Sequence, residues 1–212
     1  MLRWFLLLFL LLAGSMCNLP ADQKELPKDI PFSDENTGVV FPPQLGSFQK
    51  TEIRINPNPV LGTRIQYAGT RIGCSAAVYI YALSEKPELI SLPEFRQHYA
   101  QTRQAILNLK SITRRVEEIE SVSQSELADK KIYQALRESF SLRTDGEETY
   151  HSELLLILCG DRVVKLRITV PAAQKEALRE SDLFIKEFCK LFFGNRPAVF
   201  TPCDPTTVKT KL

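Results

Sequence analysis

Histidine and glycine are scarce in this 212-residue chain: there are two histidines, His98 and His151, and nine glycines. Each glycine stands singly, so no Gly-rich loop is available to cradle a phosphate. Any Ser-His-Asp relay must use one of the two histidines. No Gly-x-Ser-x-Gly elbow supplies the serine, and Gly73-Cys74-Ser75 sits on a turn-to-strand boundary, the wrong context for a nucleophile. Both histidines therefore read as surface or edge residues. No Cys-x-x-Cys pair and no zinc-ligand spacing is present. Glu117, Glu118 and Glu120 cluster, as do Glu147 and Glu148, but without the glycine and alternating ligands of a calcium loop they read as solvated surface. No catalytic, cofactor or metal site is expected.

Long apolar runs and blocks of like charge are also missing. After residue 13 no apolar stretch, Leu154 to Cys159 among them, exceeds the size of a strand or approaches that of a membrane span. The net charge is +2 with a pI near 8.2, and the basic pairs Arg114-Arg115 and Lys130-Lys131 are too short for a nucleic-acid patch. No nucleic-acid partner is expected. Asn36-Thr37-Gly38 has its threonine one place too early for a glycosylation site, and the absence of such a site points to a bacterial origin.

What is present begins at the N-terminus. Arg3 precedes an unbroken apolar run from Trp4 to Ala13, followed by Gly14 and Ser15. A charged start, a short apolar centre and a small-residue exit describe a secretory signal peptide over residues 1–17. As a helix the run covers about 15 Å, half of a bilayer core of about 30 Å. Two processing routes remain open, beside a short anchor that is retained. Ala13-Gly14-Ser15 suits cleavage after Ser15. Cys17 is a candidate lipidation site that would anchor the protein to a membrane. Leu12-Ala13-Gly14 resembles the start of a lipoprotein signal, although Ser15 stands where the cysteine belongs and bulky Met16 precedes Cys17. The expected location is exported, either periplasmic or anchored through Cys17.

If Cys17 is modified or lost, four cysteines remain: Cys74, Cys159, Cys189 and Cys203. An even set in an exported protein permits disulfides, and four cysteines allow three connectivities. A Cys189–Cys203 bond would pin the tail to the body. The competing reading makes Cys74, Cys159 and Cys189 small buried apolar residues.

Residues 18–40, with Pro20, Pro27 and Pro31 and an acidic excess, read as a flexible linker. A single domain is expected over 41–194 and an irregular Pro/Thr-rich tail over 195–212. Within the domain, Phe48 to Ile55 and Thr63 to Ala68 read as strands. Cys74 to Leu83 is apolar nearly throughout, the pattern of a strand covered on both faces. Ser91, Pro93 and Glu94 open a helix with a capping box, and Phe95, Tyr99, Thr102, Ile106 and Leu109 form its apolar face. Arg114 to Val122 reads as a strand, Ser123 to Lys130 as a loop and Lys131 to Leu142 as a strand. Thr144-Asp145-Gly146 turns into a strand over Tyr150 to Cys159, and Val164, Leu166, Ile168 and Val170 alternate on the last. Gln174 to Phe193 is a long helix burying Leu178, Ile185, Phe188 and Phe192, flanked by Phe184 and Leu191, and Gly194 ends it.

Tight turns between strands imply antiparallel pairing. The expectation is an α+β domain, a mainly antiparallel sheet with helices packed on it, and cover on both faces makes it a three-layer α-β-α sandwich. Val40-Phe41-Pro42-Pro43-Gln44-Leu45-Gly46-Ser47-Phe48, Leu61 to Tyr67, Ala76 to Tyr81 and the helix that follows resemble a group of exported bacterial proteins of unknown function. Their element order is similar to the sandwich shared by the photosystem II extrinsic protein PsbP and the nuclear-transport factor Mog1. That resemblance spans about residues 40–193 and implies a binding or assembly module. No site motif of either relative can be matched here.

The leading expectation is thus an exported non-enzymatic envelope protein that binds an envelope partner through one face of its sandwich. The alternative is a periplasmic protein holding a ligand in an apolar pocket, for which Tyr67, Tyr79, Tyr81 and Tyr99 are candidate lining residues. A hydrolase with a dispersed site is a third, minor reading.

Overall fold

The computed structural model describes residues 27–113, 116–128, 134–194 and 201–202. Their elements, in chain order, open with three short strands: β1 (Phe32–Ser33), β2 (Val40–Phe41) and β3 (Gln44–Leu45). Longer strands follow, β4 (Phe48–Ile55), β5 (Thr63–Ala68) and β6 (Ser75–Tyr81). Then come helix α1 (Leu92–Leu107) and a single turn α2 (Leu109–Ile112). Four long strands make the second half: β7 (Val116–Ala128), β8 (Gln134–Thr144), β9 (Thr149–Cys159) and β10 (Arg162–Pro171). Helix α3 (Lys175–Phe193) and strand β11 (Thr201–Pro202) are the last of the described elements.

Except for the β1–β2 pair, the strands form one antiparallel sheet in the order β11-β7-β8-β9-β10-β6-β5-β4-β3. Strand β10 lies in its middle, between β9 and β6. It must therefore be covered on both faces, and the two helices do this from opposite sides. On one side α3 packs over Val164, Leu166, Ile168 and Val170 of β10, Val78 and Ile80 of β6 and Ile65 and Tyr67 of β5. On the other, α1 packs over Val163 of β10, Leu154 and Leu156 of β9 and Leu136, Phe140 and Leu142 of β8. These are the three layers, as the near-continuous apolar strands predict.

The expected capping box is present: the Ser91 amide donates to Glu94 Oε2 at 2.8 Å and the Glu94 amide to Ser91 Oγ at 3.5 Å. Caps of this kind are worth about 1 kcal/mol. In α3, Phe184, Phe188 and Phe192 recur every fourth residue and form a continuous aromatic ridge. Phe184 was expected at the flank of the buried face and is instead its centre, 4.9 Å from the Phe48 ring and 5.4 Å from Tyr67. Leu178 and Leu191 are only partly buried.

Two boundaries differ from expectation. The segment 123–128 is strand and not loop, because β7 pairs with β8 as far as Ala128. Ser123 to Glu126 are polar and none of them is buried, so backbone pairing with β8 holds them and burial does not. The ordered body also reaches back into the stretch expected to be linker. Phe32 pairs with Phe41 and stacks on its ring, and Lys50 Nζ donates to the Ile30 carbonyl at 2.7 Å. Asp34, buried, accepts from the Thr37 amide and hydroxyl, both at 2.9 Å, and so closes the turn between β1 and β2.

Both sheet edges are short or irregular. Strand β3 has two residues and follows Pro42-Pro43, and among the described residues β11 meets β7 at Ser125 and Glu126 alone. The rest of β7 carries Glu117, Glu118 and Glu120, with register shifts after Val116 and after Ser121.

Gly62 turns β4 into β5 with φ of +56°, and a Cβ there would lie 1.9 Å from the Ile80 carbonyl oxygen. Gly38 has φ of +68° with open space around it. Gly38→Ala is expected to cost only the left-handed penalty of about 1–2 kcal/mol. Gly62→Ala, which adds a backbone clash, is expected to cost more than about 3 kcal/mol in urea unfolding. Equal losses at the two positions would contradict this account of the turn.

Candidate functional site

Cross-strand register converts the alternation of each strand into rows that cross the sheet. On the α1 side one row runs Arg54, Arg64, Tyr79, Lys165, Leu156, from β4 through β5, β6 and β10 to β9. The adjacent row runs Glu52, Gln66, Ala77, Arg167, Leu154, Glu138, ending on β8. Both rows change character along their length. Over β8 and β9 they are apolar and lie under α1, apart from Glu138. Over β4 and β5 no residue of this face joins the buried cluster, and the positions are Arg, Gln and Glu. The boundary between the two regimes falls on β10.

At that boundary Tyr79, Lys165 and Arg167 line a cavity of about 70 Å³. Thr102, Ala105 and Ile106 of α1 form one wall and Leu154 the floor. Arg167 is 6% exposed, and its Nε and Nη1 are buried without a hydrogen-bond partner among the described residues. Its guanidinium lies 5.3 Å from the Phe140 ring centroid. Lys165 Nζ sits 4.4 Å from the Tyr79 centroid and 5.7 Å from Tyr81. Burial, with the neighbouring Arg167 charge, pushes the Lys165 ammonium down to about 8. Burial likewise brings Arg167 down to about 10. The aromatic faces offset part of the desolvation of these cations, but they offer no hydrogen-bond acceptor.

The nearby buried carboxylates are committed elsewhere. Glu138 is fully buried and accepts from Tyr99 Oη at 2.8 Å, Arg103 Nε at 2.9 and 3.0 Å, and Ser121 Oγ at 2.5 Å. Glu153 lies on the opposite, α3 side of the sheet. Its carboxylate accepts from Arg137 Nε at 2.9 Å, Ser139 Oγ at 2.7 Å and His151 Nε2 at 2.8 Å. Burial raises the Glu153 pKa, but the hydrogen bonds from His151, Arg137 and Ser139 and the Arg137 charge outweigh it and hold the group ionised.

Serine, histidine and glutamate thus meet on one face, in the wrong order for nucleophilic catalysis. In a relay the histidine stands between serine and acid. Here Ser139 and His151 both bond to Glu153 Oε1, so His151 does not take the serine proton.

His98, expected at the surface or edge, is partly buried under α1, with Nε2 2.6 Å from Tyr81 Oη. Burial, and secondarily the Lys165 charge, pushes it down to about 4. Of the four tyrosines proposed for a pocket, Tyr79 lines the cavity and Tyr81 adjoins its lysine. Tyr99 binds Glu138, and Tyr67 lies in the α3-side core with its hydroxyl donating to the Pro42 carbonyl at 2.8 Å. The glutamate clusters are surface features: Glu118 pairs with Arg143 at 2.8 Å, and Glu148 accepts from Tyr150. Among the described residues no group of three or more His, Cys, Asp or Glu side chains is placed to hold a metal.

Cys74, Cys159 and Cys189 are buried and unbonded to one another. Burial pushes the Cys159 thiol up to about 12 and Cys189 up to about 11, which favours the protonated form of both. Cys17, Cys203, Arg114-Arg115 and Lys130-Lys131 lie outside the described residues. Sequence reasoning missed Lys165 and Arg167. They alternate with Val164, Leu166 and Ile168 and so read as the solvent side of a strand; only the central place of β10 buries them.

No protein-family model matches the sequence, and comparison with curated proteins finds no match. Among solved structures, the chain is similar to cyanobacterial PsbP (CyanoP) from Synechocystis sp. PCC 6803. The TM-score is 0.51 at 10% sequence identity, over 83% of this chain and 95% of that one. The architecture is therefore a PsbP-like α+β fold. Identity at this level carries the fold alone and transfers no residue's role.

The imidazole of His98 is expected to stay neutral down to about pH 4 in an NMR titration. Its folded pKa is below the unfolded value of about 6.5, so the unfolded chain binds the extra proton first. Stability from this group is full above pH 6.5 and is lost as the pH falls toward 4. His98→Gln is expected to flatten the fall in Tm across that window, and an unchanged slope would contradict the burial argument.

Proposed function

We propose that this protein is an exported, non-enzymatic binding or assembly module of the cell envelope. It holds a partner on the half-face of its sheet that α1 leaves bare. The observation that carries the reading is the row Arg54, Arg64, Tyr79, Lys165, in which cations and an aromatic ring share one flat surface in register. Arg64 stands 5.9 Å from the Tyr79 ring and Lys165 is 4.4 Å from it, so the tyrosine is flanked by charge on both sides. Tyrosine and arginine are favoured in interface anchors, because one ring or one planar fork makes a large contact at small entropic cost. Glu52 and its ion-pair partner Arg54 cancel locally, leaving the face cationic and suited to an acidic partner surface.

Export rests on residues 1–17, which lie outside the described structure. Among the described residues no helix is long and apolar enough to cross a membrane. Lipidation of Cys17, contact of that anchor with a membrane, and a Cys189–Cys203 bond are further parts of this reading. Intact-mass measurement of the protein from its native host is expected to show a chain beginning at Met16, or at a diacylglyceryl-modified Cys17. A chain still starting at Met1 would overturn export, and an unmodified N-terminus would remove the lipid anchor alone.

Capture from an envelope fraction on immobilised mature protein is expected to retain a partner that Arg54→Glu/Arg64→Glu protein, of unchanged circular dichroism, does not. Retention by both proteins equally, or by neither, would sink this use of the bare half-face.

The cavity beneath α1 supports a second reading, a small-ligand binder. Its pocket is not the purely apolar one anticipated, since two cations form one side of it.

A further inference from the structure

The cavity under α1 joins three observations that the fold alone does not require. A cation nine-tenths buried, Arg167, presents two nitrogens without an acceptor among the described residues. A second cation, Lys165, lines the same cavity two residues along the same strand face. The carboxylates near enough to influence Arg167, Glu138 and Glu153, are each saturated by three other side chains, and Glu153 lies across the sheet. Burying a cation without an acceptor is unfavourable, and removing an unpaired buried charge often stabilises a protein. A strand that keeps Arg167 buried in this way, with half-buried Lys165 beside it, has a use for them.

We infer that Lys165 and Arg167 form a binding site for a small organic anion, a carboxylate or phosphoryl group carried on an apolar attachment. Guanidinium and ammonium donors converging on one cavity match such an oxyanion, which would supply the acceptors that Arg167 lacks. Ile106 and Leu154 give the attachment an apolar wall, and exposed Ala105 marks the rim through which it leaves. A cavity of about 70 Å³ accommodates the charged head and excludes a large ligand. Tyr79, which lines the same cavity, has the Lys165 ammonium 4.4 Å from its ring centroid. This deepens the ligand-binding reading and is independent of export and of any partner on the bare half-face.

The test is thermal denaturation of the full-length protein in phosphate, in acetate and in chloride at matched ionic strength and pH. At about ten times the Kd, phosphate or acetate is expected to raise Tm by ~3 °C or more over chloride. A response to phosphate alone assigns a phosphoryl ligand, and a response to acetate alone assigns a carboxylate. Arg167→Met is expected to melt at or above the wild-type temperature in chloride and to lose the response, and Lys165→Gln to weaken it about tenfold. No response in the wild type, or the same response in Arg167→Met, overturns the site. Should that variant not fold, the Nε–H signal of Arg167 in wild-type protein decides. A saturable shift with phosphate or acetate supports the site, and an unmoved signal overturns it. Because the variants leave Arg54 and Arg64 in place, failure here leaves partner capture on the bare half-face intact, and the reverse also holds.

Discussion

Two helices cannot cover a sheet of nine strands. Strands about 4.8 Å apart make such a sheet nearly 40 Å wide, while a helix with its side chains is about 10 Å across. The chain resolves this by placing one helix on each side and displacing them. Helix α3 lies over β5, β6 and β10, and α1 lies over β8, β9 and β10. Strands β9 and β10 are buried along most of both faces. Every other feature of the molecule follows from that overlap: apolar residues gather where a helix lies above them, and long polar side chains cover the rest.

The two uncovered half-faces have taken different chemistry. On the α3 side of β8 and β9, Arg137, Ser139 and His151 converge on Glu153, and each donor finds an acceptor. That network is self-sufficient, a way of lowering charge density beside a packed helix. On the α1 side of β4, β5 and β6 the groups are mainly cationic, and Arg64 and Arg167 each keep nitrogens without acceptors. The first surface is closed in the hydrogen-bonding sense and the second is not, which directs functional attention to the second.

The sequence made much of the fold legible and little of the site. The Ser91–Glu94 box, the alternation in β10 and the apolar runs of β6 and β9 report local geometry, which is written in neighbouring residues. The three-layer arrangement followed from those runs, because a strand apolar on both faces needs two roofs. Strand β7 was harder to see beyond Val122. Ser123 to Glu126 are polar on both sides, and what holds them is the backbone of β8. Phe184 was misplaced because its spacing to Phe188 and Phe192 allows either of two helical stripes; contact with Phe48 and Tyr67 selects between them. Lys165 and Arg167 were invisible for a related reason. Alternation identifies the two sides of a strand, but whether the polar side meets water depends on where the strand sits in the sheet, and that is a property of the whole chain.

The margins of the sheet restrict how this protein can meet another. A partner that joined by extending the sheet would need a long row of free backbone donors and acceptors. At one margin β3 covers two residues of β4 after a pair of prolines, and the rest of β4 carries the charges of Lys50, Glu52 and Arg54 and a register shift. At the other, β11 occupies part of β7, and the remainder is acidic and twice out of register. Proline, negative charge and bulges are the devices by which natural sheets refuse strand addition. The same devices that protect this chain from assembling into fibres leave its broad surfaces as the ground for recognition, so its specificity has to be written in side chains and not in main chain.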